Sequence, residues 1–258
     1  MATGSAPGGL VLARELGHGL VSPVPSLFTL NCKLDIKEGG MLHGLSGISV
    51  PHARVSISKK QFQEGPMLIT HHGLSGPAAL RLSAFFAREL NEMNYRGKVT
   101  IHWDTPLGLK EDDLFEQLWK FTSTNPKKTV ASVCPLANNS IPRRLWSAIT
   151  MASGFAEDTV WGGASKKLVR KLAQNIVACP LEITGKGTFK EEFVTAGGIP
   201  LKEINMKNME SKMCPGLFFC GELINVDGVT GGFNFMNCWS TGYTAGHGAA
   251  DYCLEAAQ

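Results

Sequence analysis

The stretch from Cys220 to Gly246, CGELINVDGVTGGFNFMNCWSTGYTAG, constrains this chain more than any other. It follows an apolar run, Leu217-Phe218-Phe219. It spends glycines at Gly228, Gly231 and Gly232, then enters a segment rich in small residues. This order predicts a buried strand ending at Gly221, a turn whose backbone comes close to another group, and a helix. In open α/β sheets ligands bind just outside the carboxyl ends of strands.

The side chains suggest what would bind there. Glu222 and Asp227 suit hydroxyl groups that donate hydrogen bonds, as ribose or ribityl chains do. Asn234 suits a helix cap. Unpaired N–H groups in the first helical turn make a weakly positive pocket. A delocalised anion, such as a flavin ring with charge near N1 and O2, suits that pocket. Ser240, Thr241, Gly242, Ala245, Gly246 and Gly248 predict a helix that packs tightly. On the residues alone a second reading stays open: a glycine-rich connection with no ligand.

Composition narrows the class. The chain has 258 residues, 43% of them hydrophobic and 18% charged, which is ordinary for a globular protein with a sizeable core. A formal net charge of +3 is too small to argue for nucleic acid. The basic pairs Lys127-Lys128, Arg143-Arg144 and Lys166-Lys167 lie on separate segments, as solvated faces do. The 7 cysteines form no C-x-x-C pair, so no structural zinc site and no metal is expected; free thiols point to an intracellular, by default cytoplasmic, protein. No stretch approaches the roughly 20 apolar residues of a membrane span.

Along the chain the hydrophobic period changes twice. Gly9–Leu16 reads as a helix, and Pro23 and Pro25 read as breakers at a domain crossing. Segments 48–57, 67–70 and 98–103 read as strands. Ser75-Gly76-Pro77 opens a helix with Ala79, Leu82, Phe86 and Leu90 as its buried stripe. Residues 106–178 turn helical: Leu114, Leu118 and Phe121 in one segment, 141–151 in a second, and Leu168, Leu172 and Ile176 in a third. Segments 181–184 and 192–195 return to strands. HGLSGI at 43–48 and HGLSGP at 72–77 share no flanks, so no duplication is inferred.

His71 and His72 precede Gly73-Leu74-Ser75-Gly76. The stretch is near a nucleophile elbow, but Pro77 stands where G-x-S-x-G needs its last glycine. Ser75 reads better as a cap.

The segment from Gly185 to Gly246 resembles the C-terminal part of the BaiN/YhiN-like, or aminoacetone-oxidase-like, family of FAD-dependent oxidoreductases. GPMLITHHGLSGPAALRLSA is similar to the family's T-H-x-G-L-S-G-P element, and ARELGHGLVSPVPSLFTL to its crossing out of the flavin domain. Plant members look nearer than bacterial ones. The resemblance implies an α/β protein with an α+β insert. A Rossmann-like FAD domain would be split around a β-barrel-like domain carrying a helical subdomain. The boundaries expected are 1–28 for the first FAD remnant, 29–105 and 180–195 for the barrel, 106–179 for the helices and 196–258 for the C-terminal FAD half.

The resemblance also implies a site. FAD would lie along Gly221, Glu222, Asp227, Thr230, Gly231, Gly232, Phe233 and Asn234, and Thr3 and Gly4 would pass beside it. His71 and His72 are candidates for catalysis. NAD(P)H would be the electron source and a small molecule the substrate, with no nucleic acid and no membrane as partner. The chain has no G-x-G-x-x-G, the turn that holds the FAD pyrophosphate. The expectation is therefore an N-terminally truncated member that binds FAD poorly by itself. A non-catalytic remnant or interaction module is the alternative.

Overall fold

A computed structural model describes residues 8–136, 140–187 and 194–257. Its elements are α1 (Gly8–Glu15), β1 (Val21–Ser26), β2 (Leu30–Asn31), α2 (Lys33–Ile36), β3 (Ser49–Ser56), β4 (Phe62–Ile69), β5 (Gly73–Ser75), α3 (Pro77–Phe85), α4 (Ala87–Glu92), β6 (Gly97–His102), α5 (Glu111–Thr124), α6 (Arg143–Ala152), α7 (Lys166–Val177), β7 (Cys179–Ile183), β8 (Gly185–Lys186), β9 (Val194–Gly198), β10 (Ile204–Asn205), β11 (Glu210–Ser211) and α8 (Phe233–Ala256). Two compact units result. One comprises 29–82 and 92–187; the other comprises 1–28, 83–91 and 188–258.

The first unit is built on an antiparallel sheet in the order β7-β6-β3-β4-β5-β2-β8. β7 and β8 are one run of chain bent at Thr184. β7 pairs with β6 and β8 with β2, so both ends of the order meet in that run and the sheet closes. Closure leaves no open edge to template aggregation. Alternation fills the interior: Val50, Val55, Met67, Ile69, Leu74, Val99, Ile101, Leu181 and Ile183 are buried. At Pro51-His52 the register between β3 and β4 shifts, where a residue without an N–H interrupts the ladder.

The helices of this unit follow their apolar stripes. α5 buries Leu114, Phe115 and Leu118, and carries Glu111, Asp112 and Asp113 in its first turn, where the helix dipole favours acids. α6 buries Leu145, Trp146 and Ile149, and the Trp146 indole donates to the Val130 carbonyl at 2.8 Å. α7 is capped by Ser165, whose hydroxyl accepts from the Leu168 amide at 3.3 Å. The stripe expected as one helix over 79–90 is split between α3 and α4.

The second unit differs from expectation in two places. Pro23 and Pro25 do not break the chain: both lie in β1, which pairs with β9. A two-stranded sheet has only edge strands, and an edge tolerates residues that cannot donate. Residues 217–220, expected as a buried strand, form only a bridge to Glu210, with the Ser211 amide donating to Leu217 and the Phe219 amide to Met209. Among the described residues nothing pairs along their other side. The core here is Ala13, Ile199, Ile204, Met209, Phe219, Ile224 and Ala245.

α8 runs for 24 residues yet buries only Ala245 and Gly248. A Cβ on Gly248 would lie 2.5 Å from the Asn208 carbonyl, so glycine is what lets the helix approach that loop. Gly242 and Gly246 face open space, contrary to the uniformly tight packing their size suggested. The helical period puts 241, 245, 248 and 252 on one face and turns 242 and 246 away from it.

Candidate functional site

The turn before α8 is held at three points within its own unit. The Gly221 amide donates to Thr241 Oγ1 at 2.9 Å, and Asn237 Nδ2 donates to the Gly221 carbonyl at 3.4 Å. The third point is Asn234. Its Oδ1 accepts from the Gly228 amide at 2.7 Å and its Nδ2 donates to the Gly228 carbonyl at 2.9 Å. Asn234 therefore does not cap α8, as its residue type suggested. It clamps the loop instead.

The cap position falls to Gly232, at φ 85°, with no side-chain hydrogen bond to the first turn. Gly221 and Gly231 are also left-handed, at φ 65° and 115°. A Cβ at Gly232 would meet nothing within 4 Å. Gly228 differs: a Cβ there would sit 2.8 Å from Phe233 Cβ. The cap of this long helix thus has open space where a side chain would stand, and its first turn carries no acid. This fits the electron-rich edge of a flavin ring, and Gly231, Gly232, Phe233 and Asn234 are the residues that would hold it.

Glu222 lies in a one-turn 3₁₀ helix, Gly221–Leu223, and Asp227 six residues before Phe233. Both side chains reach solvent. Partial burial still raises each carboxyl above its usual range, and at Asp227 the Arg88 guanidinium opposes that shift. Thr230 is half-buried and Phe233 is exposed. Thr3 and Gly4 lie outside the described residues. His71 and His72 stand exposed on the β4–β5 turn of the barrel unit, where Thr70 Oγ1 accepts from the amides of His72 and Gly73. Ser75 Oγ accepts from Thr29 Oγ1 at 3.3 Å.

Sequence reading missed two arrangements. The first is a cavity of about 540 Å³ beside the glycine turn, lined by Val21, Phe85, Arg88, Asn225, Asp227 and Val229 among others. Arg88 sits in the helical stretch read only for its apolar stripe, and no motif marks it. The second is a buried Glu–His–Ser chain. His18 Nδ1 is 3.1 Å from Glu203 Oε2, and Nε2 is 2.9 Å from Ser211 Oγ. Its order is that of a hydrolase triad, but Ser211 is buried and its Oγ already accepts the Met213 and Cys214 amides. A nucleophile so placed has no room for an acyl group. Among the described residues, no three His, Cys, Asp or Glu side chains cluster to hold a metal. No described helix is long and apolar enough to cross a membrane.

Over 240 residues the chain is 28% identical to ribosomal RNA dihydrouridine synthase of Haemophilus influenzae, covering 93% of this chain and 55% of that protein. The Escherichia coli protein of the same name is also 28% identical, over 243 residues. The 3-dehydro-bile acid delta(4,6)-reductase of Clostridium scindens is 28% identical over 259 residues, or 96% of this chain and 59% of that protein. The chain thus spans a little over half the length of these curated relatives. The family described as HI0933-like protein barrel and H2TH domain matches residues 24–194, the closed sheet and the three helices α5, α6 and α7 included. The chain belongs to the HI0933-like family, the BaiN/YhiN-like FAD-dependent oxidoreductases that its C-terminal motifs resemble.

Proposed function

We propose that this chain acts in an FAD-dependent oxidoreductase that adds hydrogen across a carbon–carbon double bond of a small molecule, with NAD(P)H as electron source. One observation carries the reading. α8 begins at a left-handed, uncapped glycine that faces open space, directly after a loop clamped by Asn234. The second unit is then part of a Rossmann-like flavin domain, with Glu222 and Asp227 near hydroxyl groups of the cofactor.

The names of the relatives share one chemistry. Dihydrouridine is uridine with hydrogen added across a ring double bond, and a delta(4,6)-reductase removes double bonds from its steroid. Flavin, when bound, supplies the hydride for such a step. This chain's part is to hold and polarise the ring. First-turn amides favour negative charge at N1 and O2, and so favour the reduced anion. The Asn234 clamp holds the loop that leads into those amides. His71 and His72 remain the candidates for handling a proton.

Titration of the chain with riboflavin and with FAD, read by flavin fluorescence, tests this. Both are expected to bind weakly and within about tenfold of one another, because no G-x-G-x-x-G turn adds pyrophosphate contacts. Gly232→Asn keeps a left-handed backbone accessible while filling the space, and should abolish binding of both. Stoichiometric FAD on the purified chain would overturn the weak-binding part. Riboflavin indifferent to Gly232→Asn would overturn the site.

A further inference from the structure

A second cavity, of about 380 Å³, lies in the first unit beside the start of α6. It is lined by Ala131, Ser132, Arg143, Arg144, Ser147 and Glu157. Its volume is in the range of small-molecule sites. Its walls are held in place. The Val130 amide donates to the Thr159 carbonyl at 2.9 Å, and the Val130 carbonyl accepts from the Trp146 indole at 2.8 Å. The segment that carries Ala131 and Ser132 is thereby tied both to α6 and to the loop that carries Glu157. Ser132 Oγ is itself hydrogen-bonded to Thr129 Oγ1.

The charges here are poorly matched within the chain. Arg143 and Arg144 are the first two residues of α6, and both are exposed. Neither makes an ion pair among the described residues, with Glu157 or any other acid. Arg144 uses one N–H on the Gly44 carbonyl. A guanidinium has five donors and no acceptor, so most of their donors are unused by the protein. Acids suit the first turn of a helix and cations do not. α5 follows that rule with Glu111, Asp112 and Asp113, and α7 is capped by Ser165. α6 has neither a first-turn acid nor a side-chain cap. Two like charges thus stand together at the positive end of a helix, and an anion from outside would relieve both mismatches. Ser147 follows Arg143 by one turn on the same face and adds a hydroxyl donor.

We infer that this cavity binds the phosphate monoester of a small hydroxylated molecule, with Arg143, Arg144 and the Ser147 hydroxyl donating to the phosphate and Glu157 accepting from a hydroxyl. Two guanidinium groups match the charge of a monoester, which is close to a dianion at neutral pH. A carboxylate ligand would bring one charge to two cations. Glu157 decides what the rest of the ligand carries, because an ionised carboxylate only accepts and suits an O–H group. It also disfavours a polynucleotide, whose neighbouring phosphates would come close to a like charge. The cavity lies wholly in the unit that carries the barrel, so it stands or falls apart from the flavin turn.

The test uses the whole chain, isotope-labelled, with amide NMR shifts followed at low salt and neutral pH. Glycerol 3-phosphate is the probe, and inorganic phosphate and glycerol stand for its two halves. Glycerol 3-phosphate is expected to shift the amides of Ser132, Arg143 and Arg144 saturably, and glycerol to shift none of them. Arg143→Gln should weaken the probe by about tenfold or more, the range of a lost charge-assisted hydrogen bond. Arg143→Lys keeps the charge but not the fork and should lose less. The Arg143 side chain makes no ion pair among the described residues, so both variants should fold, which circular dichroism checks. Wild type should favour glycerol 3-phosphate over inorganic phosphate by about threefold to tenfold, as one added hydrogen bond does, and Glu157→Ala should bind the two alike. Shifts that do not saturate, or that Arg143→Gln leaves unchanged, would overturn the site. Acetate binding there as tightly as inorganic phosphate would overturn the phosphate assignment. A ribo-oligonucleotide without terminal phosphates that outcompetes glycerol 3-phosphate at these amides would give the cavity to a polyanion and overturn the monoester.

Discussion

Asn234 and Gly228 hold each other by two hydrogen bonds, of 2.7 and 2.9 Å, one in each direction. The amide side chain thereby does for the loop what a strand partner does for a peptide. It also fixes where α8 begins, because Phe233 follows the left-handed Gly232 and packs against Gly228. Asn234→Ala should cost about 1 to 3 kcal/mol, since both Gly228 groups lose partners in a half-buried turn. Gly228→Ala should cost as much by forcing its methyl onto Phe233. Chemical denaturation checks both. Asn234→Asp, which keeps the acceptor but not the donor, should fall between wild type and Asn234→Ala; equal stability in all four proteins would refute the clamp.

Alkaline pH should weaken the fold through its buried and half-buried thiols, Cys32 and Cys179 most and Cys134, pushed up to about 11, less. Burial pushes Cys32 and Cys179 up to about 12 from an ordinary 9.0. A nearby carboxylate, Asp35, raises both further. An acid whose pKa is raised on folding keeps its proton longer in the native state. Between pH 9 and 12 the unfolded chain binds fewer protons, so stability falls as pH rises through that window. The slope is about 1.4 kcal/mol per pH unit for each group. Denaturation midpoints at pH 8 and 10 should differ, and Cys179→Ala should reduce the difference although it lowers stability at pH 8. In native protein Cys253, which is exposed, should react first with a thiol reagent, and Cys32 and Cys179 last.

The parts legible in the sequence were those set by period and backbone chemistry. Val99 and Ile101, and Leu181 and Ile183, alternate strictly, Val50 and Val55 lie on either side of the β3 register shift, and all six are buried. Leu114, Leu118, Leu172 and Ile176 repeat at helical spacing and are buried. Gly231 and Gly232 lie in the turn their place in the sequence suggested, and there take a left-handed backbone. What stayed hidden depends on long-range partners. Nothing local in Leu217-Phe218-Phe219 tells that only one side is paired. Nothing at Val21–Ser26 tells that the prolines lie on an edge. Arg88 meets Asp227 across 139 positions of sequence, and His18 meets Ser211 across 193. Such pairs leave no periodic trace.

The His18 chain should be a structural bolt rather than a catalytic one. Ser211 Oγ accepts two amides, and His18 also stands edge-on to Phe219 with ring centroids 4.8 Å apart. Ser211→Ala leaves both amides and a ring nitrogen without partners in a buried place, at a cost of about 2 to 4 kcal/mol. His18→Ala should cost about the same, and the double variant less than the sum, because the two share one network. A fluorophosphonate probe should leave Ser211 unlabelled in native protein. Labelling that is lost in Ser211→Ala would show an accessible, activated hydroxyl and refute the structural role.

The outer face of α8 should govern how the chain behaves in solution. Phe235, Trp239 and Tyr243 recur every four residues, so they form one stripe, and they are 66%, 66% and 72% exposed. The Phe235 and Trp239 rings lie 5.8 Å apart, and Tyr243 lies 4.4 Å from the His247 ring. Neighbouring aromatics of this kind make a contiguous apolar patch, which water solvates poorly. The patch should bind an apolar dye and draw chains together as concentration rises. Replacing all three with Gln keeps good helix formers along α8 and removes the apolar surface. The triple variant should lose most of the dye signal and elute as a monomer at concentrations where the wild type associates. Trp239 also gives a direct reading, because Trp103, Trp146 and Trp161 are buried and Trp119 is half-buried. Acrylamide should quench the Trp239 share of the emission strongly, and Trp239→Gln should remove that quenchable share. A wild-type chain that binds no dye, stays monomeric and resists quenching would mean that this face is covered.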